Sequence, residues 1–357
     1  MTLSVPSIKV SWLRGHGRIP FKKPLTILAL GLKESGKSNF IEACSIRYLE
    51  NGRVYDLFGS RDNEGLAWCR VIPKEDVLFV TGDSVEIKGK WHSVAVKDLY
   101  SRYIQKHRVV ISVSAFYGDR DEEFYGMTQI VDKHLYRRTH WKTVDCLLCR
   151  ELANFIYARI AQGKNQDLAK ADFIYCLRES RHVGLTFAVD TIRWTSIDKE
   201  IRDVADFQVI KRVGTQGLPN DLKYLYSFIV PPLFMNPPPN VFFIIDNRGP
   251  IGIGKFDYVK WHKKEKDDLL TELGITPKYG DVPDYGDKQK GWLSDYEHRD
   301  IIGCRREGLS MHKIADRVHR SSKTVNDHIK DHNRQVQKRG YCVKCRRVKG
   351  VLDSIEV

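Results

Sequence analysis

The sequence lacks the features that would place it in a membrane or outside the cell. It has no run of eighteen apolar residues, and its first nine residues lack the apolar core of a signal peptide. Its eight cysteines are scattered over 357 residues, unlike the dense pattern of a disulfide framework. No internal repeat and no recognisable nuclease motif occurs. We therefore expect a soluble, cytoplasmic protein with reduced thiols.

What the sequence does contain is an excess of positive charge. The formal net charge is +14, and residues 291–350 alone contain 15 Lys and Arg against 7 Asp and Glu. Apolar residues make up 42% of the chain, which is enough for a sizeable core. The length fits two domains, or one large domain with a small appendage. The charge fits a polyanionic partner such as nucleic acid, or else a solvated basic surface.

Short apolar runs alternate with helical patterns along the first three quarters of the chain. The helical patterns occupy residues 39–50, 151–161 and 169–181, where apolar residues recur at helical spacing. A proline-rich connection at 231–239 precedes an apolar strand, a turn at 247–250 and a returning strand. Alternating strands and helices predict an α/β fold with a mainly parallel sheet flanked by helices. The predicted strands are 25–30, 53–59, 77–80, 109–113, 144–149, 185–189 and 241–245.

Composition also predicts where the domains divide. We expect an α/β domain over residues 1–276, followed by a linker at 277–291 that is rich in Gly, Pro and Asp. A small all-α domain should occupy residues 292–340. A basic tail with a single Cys-x-x-Cys motif should then occupy residues 341–357.

Residues 31–38 read Gly-Leu-Lys-Glu-Ser-Gly-Lys-Ser and match the Walker A phosphate loop in full. The loop follows an apolar strand and precedes a helix, as the motif requires. Lys37 is expected to reach the β- and γ-phosphates of ATP, and the Ser38 hydroxyl is expected to bind Mg²⁺. Backbone N–H groups at the helix start would bind the phosphates. The predicted nucleotide-binding residues are Gly31, Lys33, Glu34, Ser35, Gly36, Lys37, Ser38 and Asn39.

Four later segments follow one another in the same order as the motifs of a known family. They read Val144-Asp-Cys-Leu-Leu-Cys-Arg-Glu151, Arg178-Glu-Ser-Arg-His-Val-Gly184, Leu185-Thr-Phe-Ala-Val-Asp-Thr-Ile-Arg193 and Ser196-Ile-Asp-Lys-Glu-Ile-Arg202. With the phosphate loop they resemble the HerA/FtsK superfamily of hexameric DNA-translocating ATPases, in which one strand ends in Asp-Glu and a later one in Thr-Gln-Arg. The resemblance extends over about residues 24–260. It implies a P-loop NTPase fold, Mg²⁺-dependent ATP hydrolysis, double-stranded DNA as partner and a homo-oligomeric ring, most simply a hexamer.

The chain departs from that family where the acidic pair should stand, because it has Arg150-Glu151 instead of Asp-Glu. Glu151 is a candidate to polarise the attacking water, or else a solvated acid in the first turn of a helix. Arg150 is either a surface residue or a group that approaches phosphate. Asp190, near the end of a strand expected beside the phosphate-loop strand, either supports the metal in place of the missing acid or caps a turn.

The second departure concerns the strand that ends in Thr-Gln-Arg in the family. This chain has Thr191-Ile192-Arg193, so the amide is missing while the arginine remains. Arg178, Arg181 and Arg193 are candidates to stabilise charge on the γ-phosphate of a neighbouring subunit, or else solvated surface residues, and Arg193 is preferred because it follows this strand. The predicted catalytic residues are Lys37, Glu151, Asp190 and Arg193.

Residues 293–334 predict three helices. Gly308 and Ser310 suit a helix start, and Ser322 suits the N-cap of the helix that follows. Val325 and Ile329, one helical turn apart, would pack that helix against the others. The pattern resembles the helix-turn-helix of resolvases, whose second helix enters the major groove. The alternative is a three-helix bundle for protein contacts. The predicted DNA-binding residues are Ser322, Lys323, Thr324, Asn326 and Lys330.

One Cys-x-x-Cys motif, Cys342-Val-Lys-Cys345, lies in the basic tail. It is half of a zinc site, because structural zinc takes four ligands. His328 and His332 could supply the other two, but their place on the predicted recognition helix also fits packing or contact with DNA. Zinc is therefore one of two readings of this motif, alongside ordinary thiols.

Taken together, these residues indicate an ATP-driven motor that moves or packages double-stranded DNA, of the kind found in viruses and mobile elements. Two alternatives remain open from the sequence. One is an ATP-binding, DNA-associated switch with weak or no hydrolysis, which the loss of the Walker B aspartate would favour. The other is a DNA-binding regulator that retains a P-loop scaffold without enzymatic activity.

Overall fold

The computed structural model describes residues 4–57, 62–99, 101–131, 143–154, 156, 166–197, 199–264, 266–282, 295–318 and 320–339. The chain divides into two compact units, Met1–Pro283 and Asp284–Val357. The predicted linker at 277–291 spans this division, and its residues 283–291 lie outside the described residues. None of the described helices is both long and apolar enough to cross a membrane.

The N-terminal unit has a strand at each apolar run that was predicted to form one. Seven runs were predicted as strands, and each contains one. The predicted returning strand after the turn is also present, at Ile251–Phe256. Five strands were not predicted because they lack a continuous apolar run: Ile8–Arg14, Val85–Lys88, His92–Ala95, Phe207–Ile210 and Thr276–Tyr279. The strands are β1 Ile8–Arg14, β2 Thr26–Leu30, β3 Val54–Leu57, β4 Val77–Thr81, β5 Val85–Lys88, β6 His92–Ala95, β7 Val109–Ser112, β8 Asp145–Cys149, β9 Leu185–Thr191, β10 Phe207–Ile210, β11 Val241–Asp246, β12 Ile251–Phe256 and β13 Thr276–Tyr279.

Eleven of these strands form one sheet, in the order β1-β12-β11-β10-β2-β9-β8-β3-β7-β4-β6. The eight strands from β10 to β6 run parallel, and β11, β12 and β1 are antiparallel additions at one side. The predicted α/β class with a mainly parallel sheet is therefore confirmed. Strand β9 lies directly between β2 and β8, with Asp190 opposite Ala29 of β2. The expectation that Asp190 belongs to a neighbour of the phosphate-loop strand is also confirmed.

Helices cover this sheet and connect its strands. The central strands β2, β3, β4, β7, β8 and β9 are buried along their whole length, as strands covered on both faces must be. The helices of this unit are α1 Lys37–Ser45, α2 Ser101–Lys106, α3 Arg120–Ile130, α4 Gln166–Val183, α5 Lys199–Val204, α6 Pro232–Met235 and α7 Leu269–Leu273.

Two local predictions need correction. The predicted helix over 151–161 is a single 3₁₀ turn at Leu152–Asn154 in the described part, and residues 157–161 lie outside it. The backbone of Glu151 has a φ of 47°, which is incompatible with a right-handed helix beginning there. The linker was predicted to begin at residue 277, but β13 Thr276–Tyr279 pairs with β5 in a separate two-stranded sheet.

The C-terminal unit contains three helices, α8 Asp295–Arg306, α9 Met311–Arg317 and α10 Ser322–Arg339. The Ser310 hydroxyl caps α9 by accepting a hydrogen bond from the Lys313 N–H. For α10 the predicted cap was wrong by one position: Ser321, not Ser322, accepts from the Thr324 N–H at 3.1 Å. The three helices pack around a small apolar core of Ile301, Ile302, Cys304, Ile314, Ala315, Val318, Val325 and Ile329.

Candidate nucleotide-binding site

The phosphate loop connects β2 to α1 at the carboxyl edge of the sheet, and its two glycines are required by close packing. A Cβ atom on Gly36 would lie 2.4 Å from the Pro239 carbonyl oxygen, and one on Gly31 would lie 2.7 Å from the Lys211 side chain. Gly36 also has a φ of 80°, which favours glycine. At these two positions the loop therefore packs against Lys211 and Pro239 more closely than a residue with a side chain could.

Two side chains of the loop, Lys37 and Ser35, are buried within it. The Lys37 ammonium is buried and donates a hydrogen bond to the Leu32 carbonyl at 3.0 Å, within the loop itself. The Ser35 hydroxyl is buried and has no hydrogen-bond partner among the described residues. Together with the first N–H groups of α1, these groups offer a cation, a hydroxyl and backbone donors to an anion. This set fits the phosphates of a nucleotide.

Asp190 lies beside the phosphate loop and is hydrogen-bonded to Ser38. The Ser38 hydroxyl donates to its Oδ2 at 3.3 Å, and the Glu151 N–H donates to its Oδ1 at 2.5 Å. Burial raises the pKa of Asp190, while the nearby Lys37 charge opposes that shift. Of the two readings of Asp190, a hydrogen bond to the Walker A serine favours the metal-supporting one, since Mg²⁺ takes carboxylate and hydroxyl oxygens.

Glu151 lies next to this acid, in a strained backbone conformation. Its φ of 47° is rare for a residue with a side chain, and the turn directs its N–H towards Asp190. The half-buried carboxylate accepts a hydrogen bond from the Asn154 amide at 2.7 Å. Burial, followed by the charge of Asp190, raises the pKa of Glu151. It is therefore not the freely solvated helix acid of the alternative reading.

Arg150 is neither a surface residue nor a phosphate contact, so both readings from the sequence were wrong. Its side chain is 1% exposed and lies against three carboxylates. The guanidinium donates to Asp56 at 2.7 and 3.2 Å, to Glu64 at 3.1 Å, and to Glu42. At the position where the resemblance placed a Walker B aspartate, the chain thus has a buried cation that is paired with structural acids.

These partners join the elements beneath the phosphate loop. Glu42 lies on α1, Asp56 on β3 and Arg150 directly after β8, so one guanidinium connects three elements. His262 is 2.7 Å from the second Glu42 oxygen, and the Trp68 indole N–H donates to Asp56 at 2.8 Å. Burial alone would raise the pKa of Glu42, but Arg150 and His262 outweigh it and lower that pKa. We call Arg150, Glu42, Asp56 and Glu64 the Arg150 cluster.

Two cations beside the loop were missed by the sequence reading. Arg212 donates to the Lys33 carbonyl at 2.6 Å, and its own carbonyl accepts from the Leu32 N–H at 2.8 Å. Lys211 is fully buried and donates to the carbonyls of Pro239 at 2.6 Å and Val241 at 2.9 Å. Burial lowers the pKa of Lys211 to about 7. Both residues follow the short strand β10, whose register beside β2 is what brings them to the loop.

An open cavity of about 460 Å³ adjoins the start of the loop. Its wall includes Gly31 and Leu32 on one side and Arg193 on the other, and the Arg193 side chain is exposed. The remaining lining residues are Leu30, Ile192, Trp194, Thr195, Val213, Gly217, Leu218 and Pro219.

The other predicted nucleotide-binding side chains have different surroundings. Lys33 and Glu34 are exposed on the outside of the loop. The Asn39 amide both accepts from the Val259 N–H at 2.9 Å and donates to the Val259 carbonyl at 3.4 Å. Its side chain therefore anchors α1 to the segment after β12, and a nucleotide contact at Asn39 stays a prediction.

The predicted DNA-binding residues lie at the start of α10 in the C-terminal unit. Lys323 and Lys330 are exposed, whereas Ser322, Thr324 and Asn326 are partly buried. Ser322 lies 3.3 Å from the His312 ring, and Thr324 lies 2.9 Å from the Ser321 hydroxyl. The two lysines are therefore the groups on this surface that are most open to a polyanion.

Metal ligands were predicted at Ser38 and in the tail. Ser38 lies beside Asp190 as described above. Cys342 and Cys345 lie outside the described residues. Within the described part of the chain, no group of three or more His, Cys, Asp and Glu side chains is arranged to hold a metal ion.

No protein-family model matches the chain, and no curated protein sequence matches it. Several solved structures are similar to it. The genome packaging NTPase B204 from Sulfolobus turreted icosahedral virus 2, in complex with AMP, is 17% identical over 65% of this chain and 97% of that one, with a TM-score of 0.40. The conjugation coupling protein TcpA, with ATPγS, is 14% identical over 70% and 66%, with a TM-score of 0.38.

A third similar structure is the pair of ATPase domains 2 and 3 of EccC from Thermomonospora curvata, 13% identical over 68% of this chain and 38% of that one, with a TM-score of 0.37. The geometry of the site is independent of these similarities. That geometry consists of a complete phosphate loop between a parallel strand and a helix, with an acid on the adjacent strand. The N-terminal unit therefore has the fold of a P-loop NTPase, as the resemblance to the HerA/FtsK superfamily implied.

Proposed function

We propose that this protein is an ATPase whose hydrolysis drives the movement or packaging of double-stranded DNA, with Asp190 in the place of the missing Walker B aspartate. The observation that supports this most directly is the hydrogen bond from Ser38 to Asp190. Because β9 lies between β2 and β8, an acid at the end of β9 is one strand nearer to Ser38 than residue 150.

In this proposal each side chain has one task. Lys37, Ser35 and the loop amides bind the β- and γ-phosphates of ATP. Ser38 and Asp190 hold Mg²⁺, which neutralises phosphate charge when it is bound. Glu151, oriented by Asn154, positions the attacking water and accepts its proton, and its raised pKa suits a base that works near neutral pH.

The DNA half of the proposal rests on charge. The net charge of +14 and the basic residues 291–350 give a protein that can bind phosphates without reading sequence. Lys323 and Lys330, exposed on α10, would contact the duplex as the second helix of a helix-turn-helix. Two of the similar structures are named as a genome packaging NTPase and a conjugation coupling protein, which fits a DNA partner.

A ring of subunits, most simply a hexamer, would complete the site. Arg193 is exposed at the rim of the cavity beside the loop, where it could face the nucleotide of the next copy. An arginine supplied in this way stabilises charge on the γ-phosphate during transfer. Sedimentation with and without ATP and DNA would measure the assembly, and a protein that stays monomeric under all conditions would contradict the ring.

The decisive experiment is ATP turnover with and without duplex DNA, together with a direct ATP titration. We expect turnover that DNA stimulates, and we expect Lys37→Ala to abolish ATP binding while the fold is kept. Arg181→Ala is a matched control, because this exposed cation is paired with Asp206 far from the loop. Unchanged ATP affinity in Lys37→Ala would contradict the nucleotide site, and the absence of any ATP binding would favour the non-enzymatic regulator.

The DNA-binding role has its own test. Deleting the residues after Gly291 removes 15 Lys and Arg and 9 Asp and Glu, a net loss of six positive charges. Duplex affinity should then fall and its salt dependence should become shallower, because fewer counterions are released. Lys323→Ala with Asn326→Ala should reduce sequence preference more than overall affinity. Unchanged affinity and salt slope in the truncated protein would make the C-terminal unit a protein-contact module.

One observation favours a second candidate, the ATP-binding switch. The family's acidic position is occupied by Arg150, and Glu151 is held by Asn154 in a strained turn. Such a site could bind MgATP tightly and hydrolyse it slowly. Tight binding with turnover that DNA leaves unchanged would identify the switch, whereas DNA-stimulated turnover would identify the motor.

A further inference from the structure

The connection between β1 and β2 contains cations and no acid. Residues 14–23 read Arg-Gly-His-Gly-Arg-Ile-Pro-Phe-Lys-Lys, and no acidic residue occurs in the chain before Glu34. We call residues 14–23 the basic loop. Its four cationic side chains, Arg14, Arg18, Lys22 and Lys23, are all exposed. Neither the nucleotide site nor the proposed DNA-binding surface of α10 uses them.

Packing contacts hold the basic loop on the surface of the N-terminal unit. Gly17 lies so close to the Trp12 indole that a Cβ atom on Gly17 would be 2.5 Å from the ring. The rings of Phe21 and Tyr48 are 6.5 Å apart between centroids, and the Arg47 guanidinium lies 4.7 Å from the Phe21 centroid. Anchored residues therefore alternate with exposed cations, so that the cations project from a backbone that is fixed by packing.

The basic loop lies at the edge of the sheet opposite the phosphate loop. Arg14, at the end of β1, pairs with Ile251 at the start of β12, and β12 runs parallel to β2. The basic loop leads into the start of β2, whereas the phosphate loop follows the end of the same strand. One fully buried strand of five residues therefore connects the two loops.

The charge of the basic loop is not neutralised by its surroundings. Within the described part of the chain, no acidic side chain forms an ion pair with Arg18, Lys22 or Lys23. Two acids at the same edge of the sheet, Asp206 and Asp246, are each paired with an arginine outside the loop. Several uncompensated cations on a fixed backbone suit a polyanionic partner.

We propose that the basic loop contacts the phosphate backbone of duplex DNA, as a second DNA-binding surface on the ATPase unit itself. This inference rests on the proposed function and adds the place where DNA meets the nucleotide-binding part of the chain. Because the contact consists of cations and phosphates, it does not depend on base sequence.

The basic loop is also placed to couple DNA to the nucleotide. It continues into β2, which ends at the phosphate loop, and its Phe21 packs against Tyr48 in the 3₁₀ turn that follows α1. The segment from β2 through α1 is therefore in contact with the basic loop at both of its ends. A shift of α1 when ATP binds or is hydrolysed would move the loop and the phosphates bound to it.

The test is a titration of the full-length protein with a labelled duplex at several salt concentrations. The triple variant Arg18→Gln, Lys22→Gln, Lys23→Gln should raise the dissociation constant at least tenfold. The slope of log affinity against log salt should become shallower by about 2.7, because each phosphate contact contributes about 0.9. The loss should be equal for two duplexes of unrelated sequence. Half-maximal stimulation of ATP turnover should require correspondingly more DNA.

The matched control is the triple variant Lys88→Gln, Lys90→Gln, Lys97→Gln. These lysines are exposed near β6, the strand at the opposite margin of the sheet from β1. The control loses the same net charge as the loop variant, but its duplex affinity and salt slope should stay close to those of the wild type. Direct ATP titration reports that each variant folds.

Equal losses in the two triple variants would show that only net charge matters and would overturn the proposal. Wild-type affinity and slope in the loop variant would also overturn it, while leaving the proposed function in place. A wild-type protein that binds no duplex would contradict the proposed function itself. If the loop variant instead lost binding to vesicles of anionic phospholipid and kept duplex binding, the basic loop would be a membrane contact and the proposal would be wrong.

Discussion

Strands β8 and β9 are neighbours that end at the same edge of the sheet, yet the residues at their ends have different partners. Arg150, directly after β8, is directed into three carboxylates beneath the loop. Asp190, near the end of β9, is directed at Ser38 of the phosphate loop. The comparison teaches that neighbouring strand ends can differ entirely in their partners: one side chain is buried among structural acids, whereas the other contacts the phosphate loop.

We expect the largest effect on the free energy of unfolding from replacing Arg150, the structural residue of this comparison. Arg150→Met leaves Glu42, Asp56 and Glu64 without their cation, and removing one partner of a buried ion pair costs about 3–5 kcal/mol. Urea denaturation would measure this loss. Adding Asp56→Asn to the variant should recover part of it. Arg181→Met, whose ion pair with Asp206 is largely exposed, should cost under about 1 kcal/mol. Equal losses for the two arginines would show that the Arg150 cluster does not stabilise the fold.

Asp190→Asn tests the other residue of this comparison through its effect on ATP turnover. Removing the charge beside Ser38 should lower ATP turnover on the order of a hundredfold, about 2.7 kcal/mol of barrier. The variant should also need more Mg²⁺ to reach its maximal rate. Asp145→Asn is the control, since this buried acid lies at the opposite end of β8 and bonds Tyr55 and the Arg53 N–H. Comparable turnover in Asp190→Asn and wild type would return the search for the metal-supporting acid to other residues.

A smaller effect is expected at Glu151. Glu151→Gln should keep ATP affinity and reduce hydrolysis at least tenfold, about 1.4 kcal/mol of barrier. Because burial and then Asp190 raise the pKa of Glu151, wild-type turnover should decline on acidification at a pH above that of an ordinary glutamate. That acid limb should disappear from the pH profile of the variant. An unchanged turnover number would remove Glu151 from the mechanism.

The smallest effect should come from Lys211, a buried cation that contrasts with Arg150 because it has carbonyls instead of carboxylates as partners. Its pKa of about 7 lies below that of an unfolded lysine, so the unfolded chain binds the extra proton and stability rises with pH above 7. Between pH 7 and 8 this contribution should be under about 1.4 kcal/mol. Comparing the pH dependence of unfolding in wild type and Lys211→Met would isolate it, and parallel curves would contradict it.

Much of the fold could be predicted from the sequence because the relevant information is local. Continuous apolar runs marked the buried parallel strands, and the Walker A spacing marked the turn from β2 to α1. The strands that were missed are short or only partly buried, such as β1, in which intermediate and exposed residues alternate. Short strands of this kind are defined by their pairing with distant partners rather than by their own composition.

The site was predictable only in part for the same reason. Lys37 and Ser38 follow from a motif, whereas the surroundings of Arg150 depend on acids about 86 to 108 positions away in the chain. Lys211 and Arg212 belong to no motif and reach the loop only through the pairing of β10 with β2.

The placement of β9 between β2 and β8 has a consequence for how such ATPases are recognised in genomes. A pattern search that requires an acidic pair at the end of the Walker B strand would discard this chain as inactive. In our proposal an aspartate near the end of the intervening strand takes the metal-supporting role, and the position after the next strand holds a structural arginine. Chains with a full Walker A motif and no acidic pair should therefore be screened for an aspartate near the end of the intervening strand.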